Sequence, residues 1–296
     1  MKYLKIFIPL LAVMLLISYF ANNFESKKTE QSQTVVCSFS ILQDLCSQIC
    51  HGTNIKVLTI VPNSVDPHTY QPKPSDSKVL AKADLVITNG LNLEGWIQGI
   101  ISSSGYPGTI IVASHGVKAR HLGNLPDPHI WHDPKLICQM IENITDALKA
   151  KFSEHKEIFE KNADILKNDF QNIETQIIQI FKNILKSKRV MLTTHDAFSY
   201  FAKCYDVTVL SPQGVSTSDD PSAADMKHLI NQIRTLKITA IFFENLSNPK
   251  IIKAISAETQ KDVKGILFAD TLKDGSNLQE TLLYNAETIA KAMQNE

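Results

Sequence analysis

The chain has 296 residues, 44% hydrophobic and 20% charged, which is enough apolar material for a folded core. It is too long for one core of about 100–200 residues, so two domains are expected. Thirty basic residues balance thirty acidic ones, which removes the electrostatic case for nucleic acid or an anionic membrane surface as a partner. Eleven glycines and twelve prolines exclude a fibrous chain, five scattered cysteines exclude a disulfide scaffold, and nine histidines are the compositional excess.

Lys2 and Lys5 open a basic start, and Ile6 to Phe20 is an apolar run of about fifteen residues, the length of a signal-peptide core. Residues 1–21 are therefore expected to be a signal peptide or, because Tyr19 suits the small-residue cleavage pattern poorly, an uncleaved anchor. A periplasmic location follows. No cysteine adjoins the apolar run, the first being Cys37, so attachment through a lipid on an N-terminal cysteine is not expected. Loss of residues 1–21 would remove Lys2 and Lys5 and leave the mature chain at −2. Residues 22–34 are polar and read as a tether. Cys46 and Cys50 lie four apart on a helical pattern, where a bridge is poorly placed, and the cysteines read as buried small apolar residues.

Short β-branched runs then alternate with amphipathic stretches, as in a parallel sheet with covering helices. The strands expected are Val35–Ser40, Ile55–Val61, Leu85–Thr88 and Ile110–Val112, then Val190–Thr194, Val207–Leu210, Ala240–Glu244 and Ile266–Ala269. The fold class is α/β, with two four-stranded parallel-sheet lobes over residues 35–150 and 189–296. Between them no strand signal occurs, and neither Gly nor Pro stands between Lys135 and Ser211. Apolar residues at three- and four-residue steps predict one helix over Lys135–Phe152 and a long one from His155 to Leu185. Thirty helical residues span about 45 Å, so residues 151–188 are expected to form a rigid strut between the lobes.

Ligands of open α/β sheets sit beyond the carboxyl ends of strands. After the second expected strand, prolines 62, 67, 72 and 74 restrict the backbone around His68, which suits a fixed metal ligand. A second Asp-Pro-His, Asp127-Pro128-His129, precedes a helix with Asp133 as N-cap and Pro134 at its first position. His132, three residues on, could join a site, cap a helix or face solvent. Thr194-His195-Asp196 places an imidazole at another strand end. No Gly-x-Ser-x-Gly elbow accompanies it, which argues against a nucleophilic triad. Asp270 ends the last expected strand and Glu244 the one before, and either carboxylate is a candidate ligand. Three imidazoles and one carboxylate would suit Zn²⁺, Mn²⁺ or Fe²⁺.

Val65-Asp66-Pro67-His68-Thr69-Tyr70-Gln71-Pro72, Asp127-Pro128-His129-Ile130-Trp131, Thr194-His195-Asp196-Ala197-Phe198, Asp220-Pro221-Ser222 and Phe268-Ala269-Asp270 together resemble the zinc/manganese-type metal-binding receptors of ABC importers, the TroA-like family. The match runs in order through essentially the whole mature chain. The resemblance implies two α/β lobes joined by one long helix, with the metal at their interface on His68, His129, His195 and Asp270. It also implies a non-enzymatic, monomeric receptor that delivers a divalent ion (Mn, Zn or Fe) to a membrane permease driven by a cytoplasmic ATPase. Three departures stand out. His132 occupies a place such proteins usually give to an apolar residue. Ser114 to Pro126 holds only His115 and His121, where zinc-dedicated members often carry a histidine-rich loop. His195 stands where manganese-dedicated members often have Glu. The rival readings are a secreted metallohydrolase with Glu244 as base, which would need an open coordination position, and an adhesion protein with a structural metal. The roles of His132 and Glu244 stay open at this level.

Overall fold

The computed structural model describes residues 33–218, 221–238 and 240–294. The expected export segment and all but the end of the tether lie outside the described residues, as does Asp220. Thr34, expected to end the tether, opens the first strand. Among the described residues no helix is long and apolar enough to cross a membrane.

The chain runs β1 (Thr34–Phe39), α1 (Ser40–Ile49), β2 (Lys56–Val61), α2 (Pro74–Leu80), β3 (Leu85–Thr88), α3 (Ile97–Ser104) and β4 (Ile110–Val112). These strands form one parallel sheet in the order β2-β1-β3-β4. A second parallel sheet, β10-β9-β7-β8, is built from β7 (Val190–Leu192), β8 (Thr208–Leu210), β9 (Ala240–Glu244) and β10 (Val263–Leu267). Counted within each lobe, both sheets have the order 2-1-3-4. β1 is buried from Val35 to Phe39, which explains its unbroken apolar run: a central parallel strand has no solvent face along which to alternate. A two-stranded hairpin, β5 (His121–Leu122) with β6 (Leu125–Pro126), turns at Gly123 with φ 60°. It is too short to show periodicity and was not expected.

Between the sheets lie α4 (Pro134–Lys151) and α5 (Lys156–Phe181). The Asp133 side chain accepts from the Lys135 N–H at 2.9 Å and Pro134 takes the first turn, as the sequence predicts. The 26 residues of α5 span about 39 Å. The helix stops at Phe181 rather than Leu185, although Ile184 and Leu185 continue the apolar period. Arg189 explains the stop: its guanidinium donates to the carbonyls of Phe181 at 2.7 Å, Ile184 at 3.1 Å and Tyr205 at 2.8 Å. A cation thus caps the helix end and ties it to α6 (Ser199–Tyr205).

α5 packs against α1 and α4 on one side, and against α6 and the C-terminal helix α9 (Leu278–Gln294) on the other. Helices α7 (Ala223–Thr235) and α8 (Pro249–Thr259) cover the second sheet. The link between lobes is broader than one helix, since Asp44 of α1 accepts from the Leu278 N–H at 3.0 Å and Gln48 exchanges bonds with Gln279. One apolar core runs from β1 through Phe159, Phe170 and Phe181 of α5 to Phe198 and Phe201. A smaller one, including Leu192, Ile233, Ile241 and Ile255, fills the outer side of the second lobe.

The last strand covers Val263–Leu267 rather than Ile266–Ala269. Its pairing with β9 sets the register, Val263 opposite Ile241 and Leu267 opposite Glu244 with an irregularity between Val263 and Gly265. Gly265 is required there, because a Cβ would sit 2.9 Å from the Thr288 methyl of α9. Ala269 and Asp270 consequently lie beyond the strand end.

Candidate metal site

In both Asp-Pro-His segments the aspartate folds the loop on itself. The Asp66 carboxylate accepts from the His68 N–H at 2.8 Å, and the Asp127 carboxylate accepts from the His129 N–H at 3.0 Å. This is the Asx turn, with proline between to fix φ. It presents each imidazole from an irregular loop, whose proline carbonyl is held in turn by a side chain of the first lobe, Trp96 for Pro67 and Asn89 for Pro128. His195 instead follows β7, and Asp270 follows β10.

These four side chains meet. His68, His129, His195 and Asp270 each offer one ligand atom, and the four atoms lie within 4.8 Å of one another. His129 Nε2 is 3.2 Å from His68 Nε2, 3.2 Å from His195 Nε2 and 3.3 Å from Asp270 Oδ1. His195 Nε2 is 3.4 Å from Asp270 Oδ2, and His68 Nε2 is 3.9 Å from Asp270 Oδ1. The spacing is close enough for one ion to be reached by all four donors, and of these contacts the one between His68 and Asp270 is the longest.

Around the four stands a layer of acceptors. The His129 ring donates from Nδ1 to Asp127 at 2.7 Å, and the His195 ring donates from Nδ1 to Glu244. Glu244 also accepts the N–H groups of Thr194 at 2.8 Å and His195 at 3.0 Å. Fixing Nδ1 as donor makes Nε2 the atom that turns a lone pair to the centre once it is deprotonated, the tautomer a metal needs. Asp127 further accepts from Ser199 of the second lobe. Glu94, which the sequence reading did not single out, plays the matching part for the first lobe. It accepts from Ser38 at the end of β1 and from the N–H groups of Asn89 and Gly90, bracing the loop after β3.

The charges follow from these contacts. Burial acts to lower His129, but its bonds to Asp127 and Asp270 and their charges outweigh it and hold the imidazole at about 10. His195 is likewise raised, its burial overcome by Glu244 and Asp270. Burial opposes ionisation of Asp270, yet the three surrounding imidazoles pull it well below the usual carboxylate range. His68 goes the other way: burial, helped by the neighbouring imidazoles, lowers it to about 4.

His132 is not among the four ligand atoms, nor does it cap a helix or face solvent. It is buried in the short turn Ile130–His132 and donates from Nε2 to the Ala269 carbonyl at 3.0 Å. Burial lowers it to about 3. Glu244 is likewise outside the set, its carboxylate spent on His195. His115 and His121 are exposed. All five cysteines are free thiols; Cys37, Cys46 and Cys50 are buried in the first lobe, as their apolar settings suggest.

Two similarly wound α/β lobes with a His₃Asp cluster between them give the class, a two-lobed α/β protein with a candidate metal site. Comparison with known proteins gives the particular family. A family profile described as zinc-uptake complex component A, periplasmic, matches residues 35–293, and the chain belongs to that family, whose members are transport components and not enzymes. It is 27% identical over 303 residues to the manganese ABC transporter substrate-binding lipoprotein PsaA of Streptococcus mitis, covering 97% of each chain. It is 27% identical over 281 residues to the manganese-binding lipoprotein MntA of Bacillus subtilis, covering 90% of this chain and 92% of MntA. Among solved structures, the periplasmic zinc-binding protein TroA of Treponema pallidum superposes with a TM-score of 0.85 at 26% identity, over 88% of this chain and 99% of TroA. The manganese-bound S38A mutant of a periplasmic metal-binding protein of Candidatus Liberibacter asiaticus gives a TM-score of 0.81 at 25% identity, over 88% of this chain and 99% of that one.

Proposed function

We propose that the chain is the extracytoplasmic receptor of a divalent-metal ABC importer, in which His68, His129, His195 and Asp270 hold one transition-metal ion for delivery to a permease driven by a cytoplasmic ATPase. The observation that carries the ligand assignment is the convergence of four donors from both lobes within 4.8 Å. The names of PsaA and MntA support manganese as cargo and TroA supports zinc. Ordinary affinity also ranks Zn²⁺ above Fe²⁺ and Mn²⁺. The receptor works in the periplasm. Relatives are named lipoproteins, whereas the earliest cysteine of this sequence, Cys37, is buried within β1.

Capture requires no bond-making beyond coordination. The imidazoles and Asp270 replace the ion's water, and Asp127 and Glu244 offset the charge it brings into a buried site. Because His129, held at about 10, carries a proton at neutral pH in the metal-free protein, loading must displace it. A metallohydrolase would need Glu244 as a base, and Glu244 is engaged by His195 and two N–H groups. The test is anaerobic competition of purified protein for Zn²⁺, Mn²⁺ and Fe²⁺, with stoichiometry read by elemental analysis. One ion per chain, lost in Asp270→Ala, is expected; full stoichiometry in that variant would overturn the assignment.

A further inference from the structure

We infer that His132 and Trp131 are positioning residues for Asp270, using a peptide carbonyl of the opposite lobe as their handle. The inference rests on the four-ligand reading above. The turn Ile130–His132 follows directly on His129, so one short element delivers a ligand of the first lobe and then two ring donors. Trp131 donates from Nε1 to the Ala269 carbonyl at 2.7 Å, and His132 donates from Nε2 to the same oxygen at 3.0 Å. Ala269 precedes Asp270, so its carbonyl belongs to the peptide unit that leads into the ligand. His129 and Asp270, from opposite lobes, are thereby held at 3.3 Å by a bridge that contains no metal.

Packing alone does not account for His132. Its ring lies against Phe198 of the second lobe, centroids 4.5 Å apart and planes 33° apart, a contact leucine would make as well. Its Nδ1 is buried with no partner among the described protein groups, which costs stability that an apolar side chain would not. Ala269 would still have Trp131 as donor if His132 were lost. What the imidazole adds is the second, differently directed bond, which resists rotation of the carbonyl where one bond alone does not. A fixed peptide plane limits the arcs open to the Asp270 carboxylate, and rigid ligand placement is how a site discriminates among ions of similar affinity.

The experiment uses the full receptor with Zn²⁺ in chelator competition, beside thermal unfolding of the metal-free form. His132→Leu should weaken Zn²⁺ about 2- to 10-fold, the range of one lost hydrogen bond, while leaving the metal-free melting temperature unchanged or higher. His132→Gln, which keeps a donor, should recover most of the affinity. The opposite directions of affinity and stability separate positioning from packing. Unchanged Zn²⁺ affinity in His132→Leu, or weakening that follows a fall in metal-free stability and is not recovered by His132→Gln, would overturn the inference. Trp131→Phe, expected to weaken Zn²⁺ in the same sense, serves if His132→Leu does not fold, and wild-type affinity there would also overturn it. Asp270→Ala keeps the two readings apart: if it binds Zn²⁺ normally the ligand assignment fails, whereas its loss together with normal binding by His132→Leu sinks only the positioning role.

Discussion

The two Asp-Pro-His segments begin with the same chemistry and end in different states. In each, the aspartate closes an Asx turn onto the histidine N–H. Asp127 then turns a second time to its own histidine, taking the ring N–H of His129, and accepts from Ser199 across the lobe boundary. Asp66 likewise gives its other oxygen to a second-lobe hydroxyl, that of Thr217 at 2.5 Å, but among the described residues its first oxygen accepts only the His68 N–H and no carboxylate is hydrogen-bonded to the His68 ring. His129 is sealed; His68 lines a cavity of about 210 Å³ with Leu91, Leu93, Leu125, Pro126 and Val215. An identical tripeptide thus yields one ligand locked by its surroundings and one at the mouth of the site. The difference lies in the first oxygen: that of Asp127 takes both the backbone and the ring N–H of its histidine, whereas that of Asp66 takes the backbone N–H alone.

The contrast can be broken most directly at the ligands. His129→Ala should abolish retention of a stoichiometric ion through dialysis, and His68→Ala should leave a weaker but measurable site; equal losses on titration would remove the distinction. Next in size is Asp127→Asn, which removes the acceptor that orients His129 and should weaken metal binding about 10- to 100-fold, whereas Asp66→Asn, further from any ligand ring, should cost less.

The pH profile sharpens the same contrast. His129 is raised to about 10, so below that value an incoming ion must displace its proton. Apparent affinity should therefore climb as pH rises toward 10, and loading in weakly buffered neutral solution should release protons. His68, lowered to about 4, is already neutral there and contributes none. For the metal-free fold the sign is the usual one for a raised group: the stabilisation from protonated His129 is complete below its ordinary 6.5 and is lost as pH rises through 10. Calorimetry in buffers of different ionisation enthalpy counts the protons, and Asp127→Asn should reduce the count.

The smallest effect is expected at Thr217. Thr217→Val removes the bond that joins the His68 loop to the second lobe at the rim of the cavity. It should speed ion exchange about 2- to 10-fold with little change in thermal stability. Stopped-flow chelation is the measurement, and unchanged rates would show that the rim does not limit passage.

Much of this was legible locally. The β-branched runs marked all eight strands of the two sheets, most continuously in the central strands such as β1 and β3, which are buried and so apolar along their length. Asp133 and Pro134 announced the start of α4. Two candidate ligands, His195 and Asp270, were visible because they follow apolar strand runs, and the other two, His68 and His129, because each stands in a proline-restricted Asp-Pro-His segment. The end of α5 was not visible, since Ile184 and Leu185 keep the helical period and only Arg189, arriving from beyond the helix, claims its carbonyls. The last strand was misplaced by three residues at its start because its register is set against β9 and the Gly265–Thr288 contact.

The sequence by itself determined the kinds of donor available and the loops that carry them, because turn chemistry and strand patterns act over a few residues. Tertiary structure alone decided their ranks. Glu244 becomes a support rather than a ligand because His195 reaches it first, and His132 turns from the cluster to the Ala269 carbonyl. The spare oxygens of Asp66 and Asp127 find partners across the lobe boundary. Each outcome depends on groups dozens of residues or more apart, and burial between the lobes gives those hydrogen bonds their weight.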